Sequence, residues 1–416
     1  MTRGLLVSLA IAALTAACSS SGEATATCAD DLSAAECDKL QSIVLPATLP
    51  PAAGNEYAED FNSALFGFHV FFDSRFSKNQ DVRCESCHSV DTGFADNQPV
   101  PVAGLGPGSR NSPTIFNAAR YTTFFWDGRA DSLWSQPLFA LENPNEMGFT
   151  RLEIVHQLNT LYTAEYGNAF GTLADFSDLT RFPAQGAPGD AAFDAMSAED
   201  KATVNGTVAN VGKALEAYMR KLAAGPSLID QYLSSKAAGA SGAAVTLSAA
   251  QERGMVVFAK SGCLDCHSGP QLSDNQFHNL GLPAAAGKDP DPGHSEAALT
   301  TLDKNPFNAA GPFFVGSPAA SPEGGVLGGF RTPSLRNLPK SAPFGHNGTF
   351  PTLEGIVDFH LQGGGMEQQG YVGTVDPQLI SRDVSTDDRA ALVEFLKALS
   401  GSYPALPWGE WPGGNG

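Results

Sequence analysis

Cys84-Glu85-Ser86-Cys87-His88 is the stretch on which the reading of this chain turns. Two thiols two residues apart, with a histidine directly after the second, have the spacing of covalent c-type haem attachment. The thiols add to the two vinyl groups of one porphyrin, and the adjacent imidazole reaches the iron as its proximal ligand. CxxC alone also serves zinc half-sites and redox pairs, so the trailing histidine carries the distinction. A second copy, Cys263-Leu264-Asp265-Cys266-His267, strengthens it, because two CxxCH pentamers are improbable by chance in a chain with 7 Cys. Two haem c groups are therefore expected, with His88 and His267 as iron ligands.

Around these motifs, 416 residues are enough for two ordinary domains, each with its own core. Hydrophobic content of 42% and charged content of 17% fit a globular chain. A formal net charge of −19 argues against nucleic acid and suits a small basic or neutral redox partner. The 44 glycines and 28 prolines imply long loops wrapped around the haems.

Residues 1–17 read as a signal peptide, with Arg3 in a positive n-region and a short apolar run from Leu5 to Leu14. Thr15-Ala16-Ala17-Cys18 resembles a bacterial lipoprotein box, which implies a lipid anchor at Cys18; plain secretion is the alternative. Either implies export to the bacterial periplasm or cell envelope, where haem is attached. Four thiols hold haem and Cys18 takes lipid, leaving Cys28 and Cys37 to form a disulfide in an oxidising compartment.

Residues 18–55 read as a tether and extended lead-in. Helical spacing of Phe61, Leu65, Phe68 and Phe72 predicts a helix before the first motif. The chain from His88 to Arg120 reads as loop, Ser132–Ala140 and Thr150–Tyr162 as helices, and Ala198–Tyr232 as one or two more. Ser234–Val245 reads as an interdomain linker, and Ser248 as the N-cap of a helix that leads into the second motif. Residues 281–330 read as loop, followed by helices over Thr352–Leu361 and Thr386–Leu399. The expected fold is mainly α, with two cytochrome c-like domains at 56–235 and 246–400 and a tail at 401–416. Helix-then-CxxCH occurs twice, the mark of an internal duplication.

Several ordered motifs carry a family resemblance from Phe61 to Leu399. They include Phe71-Phe72-Asp73-Ser74-Arg75-Phe76-Ser77, Arg110-Asn111-Ser112-Pro113-Thr114, Phe125-Trp126-Asp127-Gly128-Arg129 and Glu142-Asn143-Pro144-Asn145-Glu146-Met147-Gly148. In the second half come Phe277-His278-Asn279-Leu280-Gly281, Thr332-Pro333-Ser334-Leu335-Arg336-Asn337 and His346-Asn347-Gly348. Together they resemble the bacterial di-haem cytochrome c peroxidases and their relative MauG.

The resemblance implies that the N-terminal haem meets hydrogen peroxide and the C-terminal haem relays electrons. Glu146 matches the family's catalytic glutamate and Gln136 its companion glutamine, although Leu133-Trp134-Ser135 replace the usual acidic lead-in. Trp126 matches the tryptophan between the haems. Many relatives cap the resting N-terminal haem with a histidine in the following loop; here Ser89–Arg120 holds neither histidine nor methionine, so an open iron position is expected. The second haem's sixth ligand falls at His360, where the peroxidases place methionine and MauG a tyrosine, with Met366 as competitor. A calcium ion is implied at Asn111, Ser341 and Pro343, the last two through backbone carbonyls. His278 matches a motif position of structural character, whereas His69, His156 and His294 read as surface or loop residues.

These readings converge on an exported peroxidase fed by a small redox protein, a cytochrome c or a cupredoxin. The alternatives are a MauG-like oxidase acting on a partner protein and a non-enzymatic electron carrier. Family members are often dimers, so a homodimer is a further implication of the resemblance.

Overall fold

The structure is a computed structural model that describes residues 28–106, 108–238, 245–285, 287–317, 324–366, 368–404 and 408. The expected signal peptide, the Cys18 at which a lipid anchor is expected, and most of the 401–416 tail lie outside these residues. The fold is mainly helical. In chain order the helices are α1 (Ala34–Gln41), α2 (Phe61–Phe72), α3 (Gln136–Glu142), α4 (Arg151–Leu161), α5 (Thr163–Phe170), α6 (Ala191–Asp194), α7 (Ala198–Met219) and α8 (Leu228–Ala237). There follow α9 (Ala249–Lys260), α10 (Glu296–Lys304), α11 (Leu353–Leu361) and α12 (Thr386–Ala398). Two-residue strands β1 (Phe277–His278) and β4 (Phe330–Arg331) pair antiparallel, as do β2 (Gly293–His294) and β3 (Val326–Leu327). No helix among the described residues is long and apolar enough to cross a membrane.

Two helix pairs repeat one design. The helix before each CxxCH motif, α2 or α9, packs against a later helix, α7 or α12. Each pair crosses at a glycine: a Cβ on Gly67 would collide with the Ala214 carbonyl oxygen of α7, and one on Gly254 with the Ala391 carbonyl oxygen of α12. Removing the side chain lets the two backbones touch, which fixes the helix ahead of each motif. The start of α9 is legible in sequence: Ser248 caps it and Gln251 closes the capping box.

Each pair anchors its own core. The first is rich in phenylalanine, including Phe66, Phe68, Phe71, Phe72, Phe76 and Phe94, each worth roughly 1.5–3 kcal/mol of apolar burial. Here α2 departs from the expected single stripe. Phe61 is 62% exposed, while Phe66, Val70 and Phe71 are buried, because α5 and α7 enclose α2 from two sides. Trp408 of the tail packs edge-on against Phe61 and Phe68, and its carbonyl accepts a hydrogen bond from Tyr218 Oη at 3.1 Å.

The second core corrects three expectations. Residues 28–55 are not a simple extended lead-in: alongside the expected Cys28–Cys37 disulfide, α1 and the turn after it dock Leu40 and Ile43 into the second core. Helix α8, expected in the first domain, buries Ile229, Tyr232 and Leu233 in that same core, so the change of core comes before the Ala/Gly/Ser run at 234–245. Residues 281–330, expected as loop, contain α10, in which only Ala298 is buried, and the two-residue β2–β3 pair.

On α7, buried bases and a buried acid alternate against the 55–59 segment. Lys213 pairs with Glu56 at 2.7 Å and Arg220 Nε donates to Glu59 at 2.7 Å. Between them Glu216 receives only the Asn55 amide, at 3.1 Å, and burial pushes its pKa up to about 7. The unfolded chain loses this proton first, near pH 4.5, so native stability falls as pH rises from there through 7. Glu216→Gln should therefore be the more stable form above pH 7, by up to about 3 kcal/mol, with little difference below pH 4.5. Thermal unfolding at the two pH values checks this.

Candidate functional site

Both CxxCH motifs fold alike. Cys84–Ser86 and Cys263–Asp265 are 3-10 turns that bring the two thiols of each motif to one side. The following histidine closes each turn, its backbone N–H donating to the first cysteine's carbonyl at 3.0 Å in His88 and 2.8 Å in His267. His88 Nδ1 donates to Phe94 O at 3.2 Å and His267 Nδ1 to Leu272 O at 2.9 Å. A carbonyl only accepts, so the proton sits on Nδ1 and Nε2 presents a lone pair. Burial lowers the pKa of both rings, that of His267 to about 4, which keeps them neutral as a metal ligand must be.

In the first half, Cys84, Cys87 and His88 line a pocket together with Gln136, Glu146 and Met147. Gln136 opens α3, where Pro137 starts the helix. Glu146 follows α3 in a turn whose backbone pairs with the loop after the first motif, Leu105 N to Glu146 O at 3.1 Å and Gly106 N to Asn145 O at 2.9 Å. That loop turns Gly104 toward the cavity, with no side chain to reach across it. Two thioethers, Met147 and Met219, also line the wall. Met147 stood in the Glu146 motif, whereas Met219 at the end of α7 read only as core.

Glu146 is tuned by opposing effects. Burial raises its carboxyl pKa, while the Asn143 amide, donating to Oε1 at 2.7 Å, and the Arg129 charge pull it back. The net direction is upward. Arg129 is itself held by Asp127 at 2.8 Å and lies 3.5 Å over the Phe125 ring.

In the second half, α11 carries His360, whose Nδ1 donates to Ile356 O at 2.8 Å. Its Nε2 is therefore also a free lone pair. Burial lowers its pKa, and a charge on His360 would further depress that of His267, so the two rings lie within electrostatic reach of each other. Met366, the competing candidate, is 49% exposed.

Trp126 joins the halves. Its indole Nε1 donates to Asn111 O at 2.9 Å, and its own carbonyl accepts from Arg331 N of β4 at 2.8 Å. Beside it, Arg110 bridges Asp127 at 2.6 Å and Asp291 at 2.7 Å, tying two first-half motifs to the second half. The Arg110 and Asp127 positions were legible as motif letters, but their pairing across the halves was not. Asn111 also donates its amide to Gln98 O at 2.8 Å, leaving Oδ1 as its available oxygen. In the amide orientation that satisfies its surroundings, Asn97 donates to Lys340 O at 3.1 Å and Ala342 O at 2.9 Å, which draws the Ser341–Pro343 turn to the same loop.

Two histidines, His294 and His156, differ from their reading as surface or loop residues. His294 is buried, stacked 3.6 Å from Phe277, with Nδ1 donating to Asp127 O at 2.7 Å and Nε2 unpartnered. The aromatic partner and the carbonyl come from distant segments, so nothing local announced the burial. His278 is clamped by Asp274 at 2.9 Å and Asp376 at 2.6 Å, and the Asp274 bond leads in pushing its pKa up to about 11. His156 is partly buried, with Nε2 on the Phe182 and Pro183 carbonyls.

The donor set fits two covalently held haems. Among the described residues, four cysteines outside the disulfide stand in two CxxC turns, each beside an imidazole that offers Nε2, and the first turn faces a pocket that Gln136 and Glu146 also line.

Comparison with known proteins agrees with this chemistry. Residues 62–238 match the model of a family described as di-haem cytochrome c peroxidase. The cytochrome-c peroxidase IdrP2 of Denitromonas iodatirespirans is 31% identical over 355 residues, covering 82% of this chain and 83% of that protein. The methylamine utilization protein MauG of Methylorubrum extorquens is 27% identical over 94% of this chain and 92% of its own. A crystal structure of a MauG-like protein associated with microbial copper homeostasis superposes with a TM-score of 0.62 at 25% identity, covering 88% of this chain and 98% of that one. By sequence and by fold together, the chain belongs to the di-haem cytochrome c peroxidase family.

Proposed function

We propose that this enzyme reduces hydrogen peroxide to water, taking two electrons and two protons per peroxide, with the first-half cavity as the peroxide site. The observation that carries the reading is the convergence of His88, Gln136 and Glu146 on one cavity. Bound haem would supply the redox-active iron, attached at Cys84/Cys87 and Cys263/Cys266, with His88 and His267 as proximal ligands and His360 as the sixth ligand of the second.

Everything else falls to the protein. Glu146 would take the proton from the peroxide oxygen nearer the metal and return it to the outer oxygen, which then leaves as water. Its raised pKa suits both halves of that transfer, because the group is neither a strong acid nor a base too weak to recapture a proton. Gln136 would orient the peroxide from the same wall. The loop after the first motif contributes only Gly104 and Ile115 to the lining, neither able to ligate iron, which would leave the cavity open to a small molecule. Trp126, hydrogen-bonded to both halves, would shorten the gap that electrons cross from the second half to the first. His360 is preferred over Met366 because it lies within electrostatic reach of His267 while Met366 faces solvent.

Electron supply would come from a small redox protein such as a cytochrome c or a cupredoxin. The net charge of −19 favours a basic one. Residence in the periplasm or cell envelope, anchorage through Cys18, pairing as a homodimer and a calcium ion at Asn111, Ser341 and Pro343 belong to the same proposal. The test is peroxide-dependent oxidation of reduced cytochrome c by the haem-loaded protein. Catalytic turnover is expected; peroxide consumption that leaves the cytochrome reduced while a partner protein is modified would instead favour MauG-like chemistry.

A further inference from the structure

Three arginines buried in this fold are matched to a carboxylate: Arg151 to Glu142, Arg220 to Glu59 and Arg336 to Asp230. Arg331 is as deeply buried, at 6% exposure, yet no carboxylate among the described residues lies within ion-pair distance. Its Nη1 reaches only the adjacent Thr332 carbonyl, at 3.3 Å, and its Nε is buried with no partner. The guanidinium lies 3.6 Å over the Tyr121 ring, a contact that eases burial of a cation but supplies no counter-charge. A permanently charged group taken out of water without an anion is strongly disfavoured. The fold has built a place for a negative group that no carboxylate among the described residues fills.

Its location narrows the choice. Arg331 lies in β4, paired with Phe277 of β1. The carbonyl of the next residue, Thr332, accepts from Ser273 Oγ at 2.6 Å, and Leu272, the residue before Ser273, holds His267 through its carbonyl. On its other side the Arg331 N–H donates to Trp126 O at 2.8 Å. The residue thus stands between the second CxxCH motif and Trp126.

We propose that Arg331 binds a propionate carboxylate of the second haem, on the side facing Trp126. The unpartnered Nε and a guanidinium fork that matches a carboxylate provide the recognition. Arg331 is then a positioning residue: it fixes the edge of the second haem relative to Trp126 and neutralises a charge beside the electron path. This rests on haem attachment at Cys263–His267, which a count of two haems per chain by pyridine haemochrome tests separately.

A crystal structure of the haem-loaded protein decides it, with a propionate oxygen of the second haem expected roughly 3 Å from Arg331 Nε or Nη. A second measurement is spectroelectrochemical titration of the low-spin haem in Arg331→Gln and Arg331→Lys. Loss of the cation should lower that potential in the glutamine variant, and lysine should restore most of the shift. A guanidinium that contacts only an adventitious ion or a propionate of the first haem overturns the proposal. So does a glutamine variant with full haem content and an unchanged low-spin potential. Should the glutamine variant fail to load haem, the crystal structure and the lysine variant still decide.

Discussion

Glu146→Gln is expected to slow the reaction with peroxide by about 10²–10⁴-fold, the usual worth of a positioned proton-transfer group. The glutamine keeps the shape of the cavity wall and can still meet the Asn143 side chain, so haem content and the resting spectrum should be unchanged. What it cannot do is take a proton from one oxygen and return it to the other. The wild-type pH profile gives an independent readout. Burial raises the Glu146 pKa, so the carboxylate needed for the first proton transfer is lost as pH falls through a value above 4.5. The acid limb of the rate profile should therefore lie above the ordinary carboxylate range and vanish in the glutamine variant. Stopped-flow mixing of the resting protein with peroxide across pH measures both. An unchanged rate would remove Glu146 from the mechanism.

Arg336→Met is expected to cost about 3–5 kcal/mol of folding stability, since it leaves a buried carboxylate without its partner. Arg336 holds both Asp230 oxygens, at 2.8 and 3.0 Å, donates to Ile43 O at 2.6 Å and through Nε to Pro270 O at 2.6 Å. One guanidinium thereby ties the N-terminal extension, α8 and the loop after the second CxxCH motif into a single core. Burial alone would raise the Asp230 pKa, but the Arg336 and Ser227 interactions outweigh it and the net shift is downward. The stabilisation is thus complete above pH 3.8 and fades as pH falls through the depressed native value. Denaturant unfolding of the haem-loaded protein at pH 7 measures the loss. Arg336→Met combined with Asp230→Asn should lose less than the single variant, because the stranded charge is gone. A single-variant loss below 1 kcal/mol would show that the core does not depend on this bridge.

What the sequence revealed follows from the range of each signal. The CxxCH motifs are local, five residues with fixed chemistry, and their turns and histidine hydrogen bonds are as the spacing implies. The start of α9 was legible because Ser248 and Gln251 are a local cap, and α11 and α12 likewise follow the capping residues Thr352 and Ser385. The convergence of Gln136 and Glu146 on His88 was reached only through family motifs, since ten residues of helix and turn separate those two side chains and no spacing rule joins them to the haem motif. Long-range partners escaped. Nothing in Ala34–Gln41 says that it docks on α8 and α9, and nothing beside His294 says that Phe277 and Asp127 will bury it. Arg110, Asp127 and Asp291 were three separate letters until folding made them one bridge. Arg331 was silent because its partner is not an amino acid.

The proposed function implies an asymmetry between a first haem open to peroxide and a second closed by His267 and His360. Electron paramagnetic resonance of the resting ferric enzyme tests it most directly. One high-spin ferric haem and one low-spin bis-histidine haem are expected. Two low-spin signals, as would arise if Met147 or Met219 closed the first cavity, would contradict it.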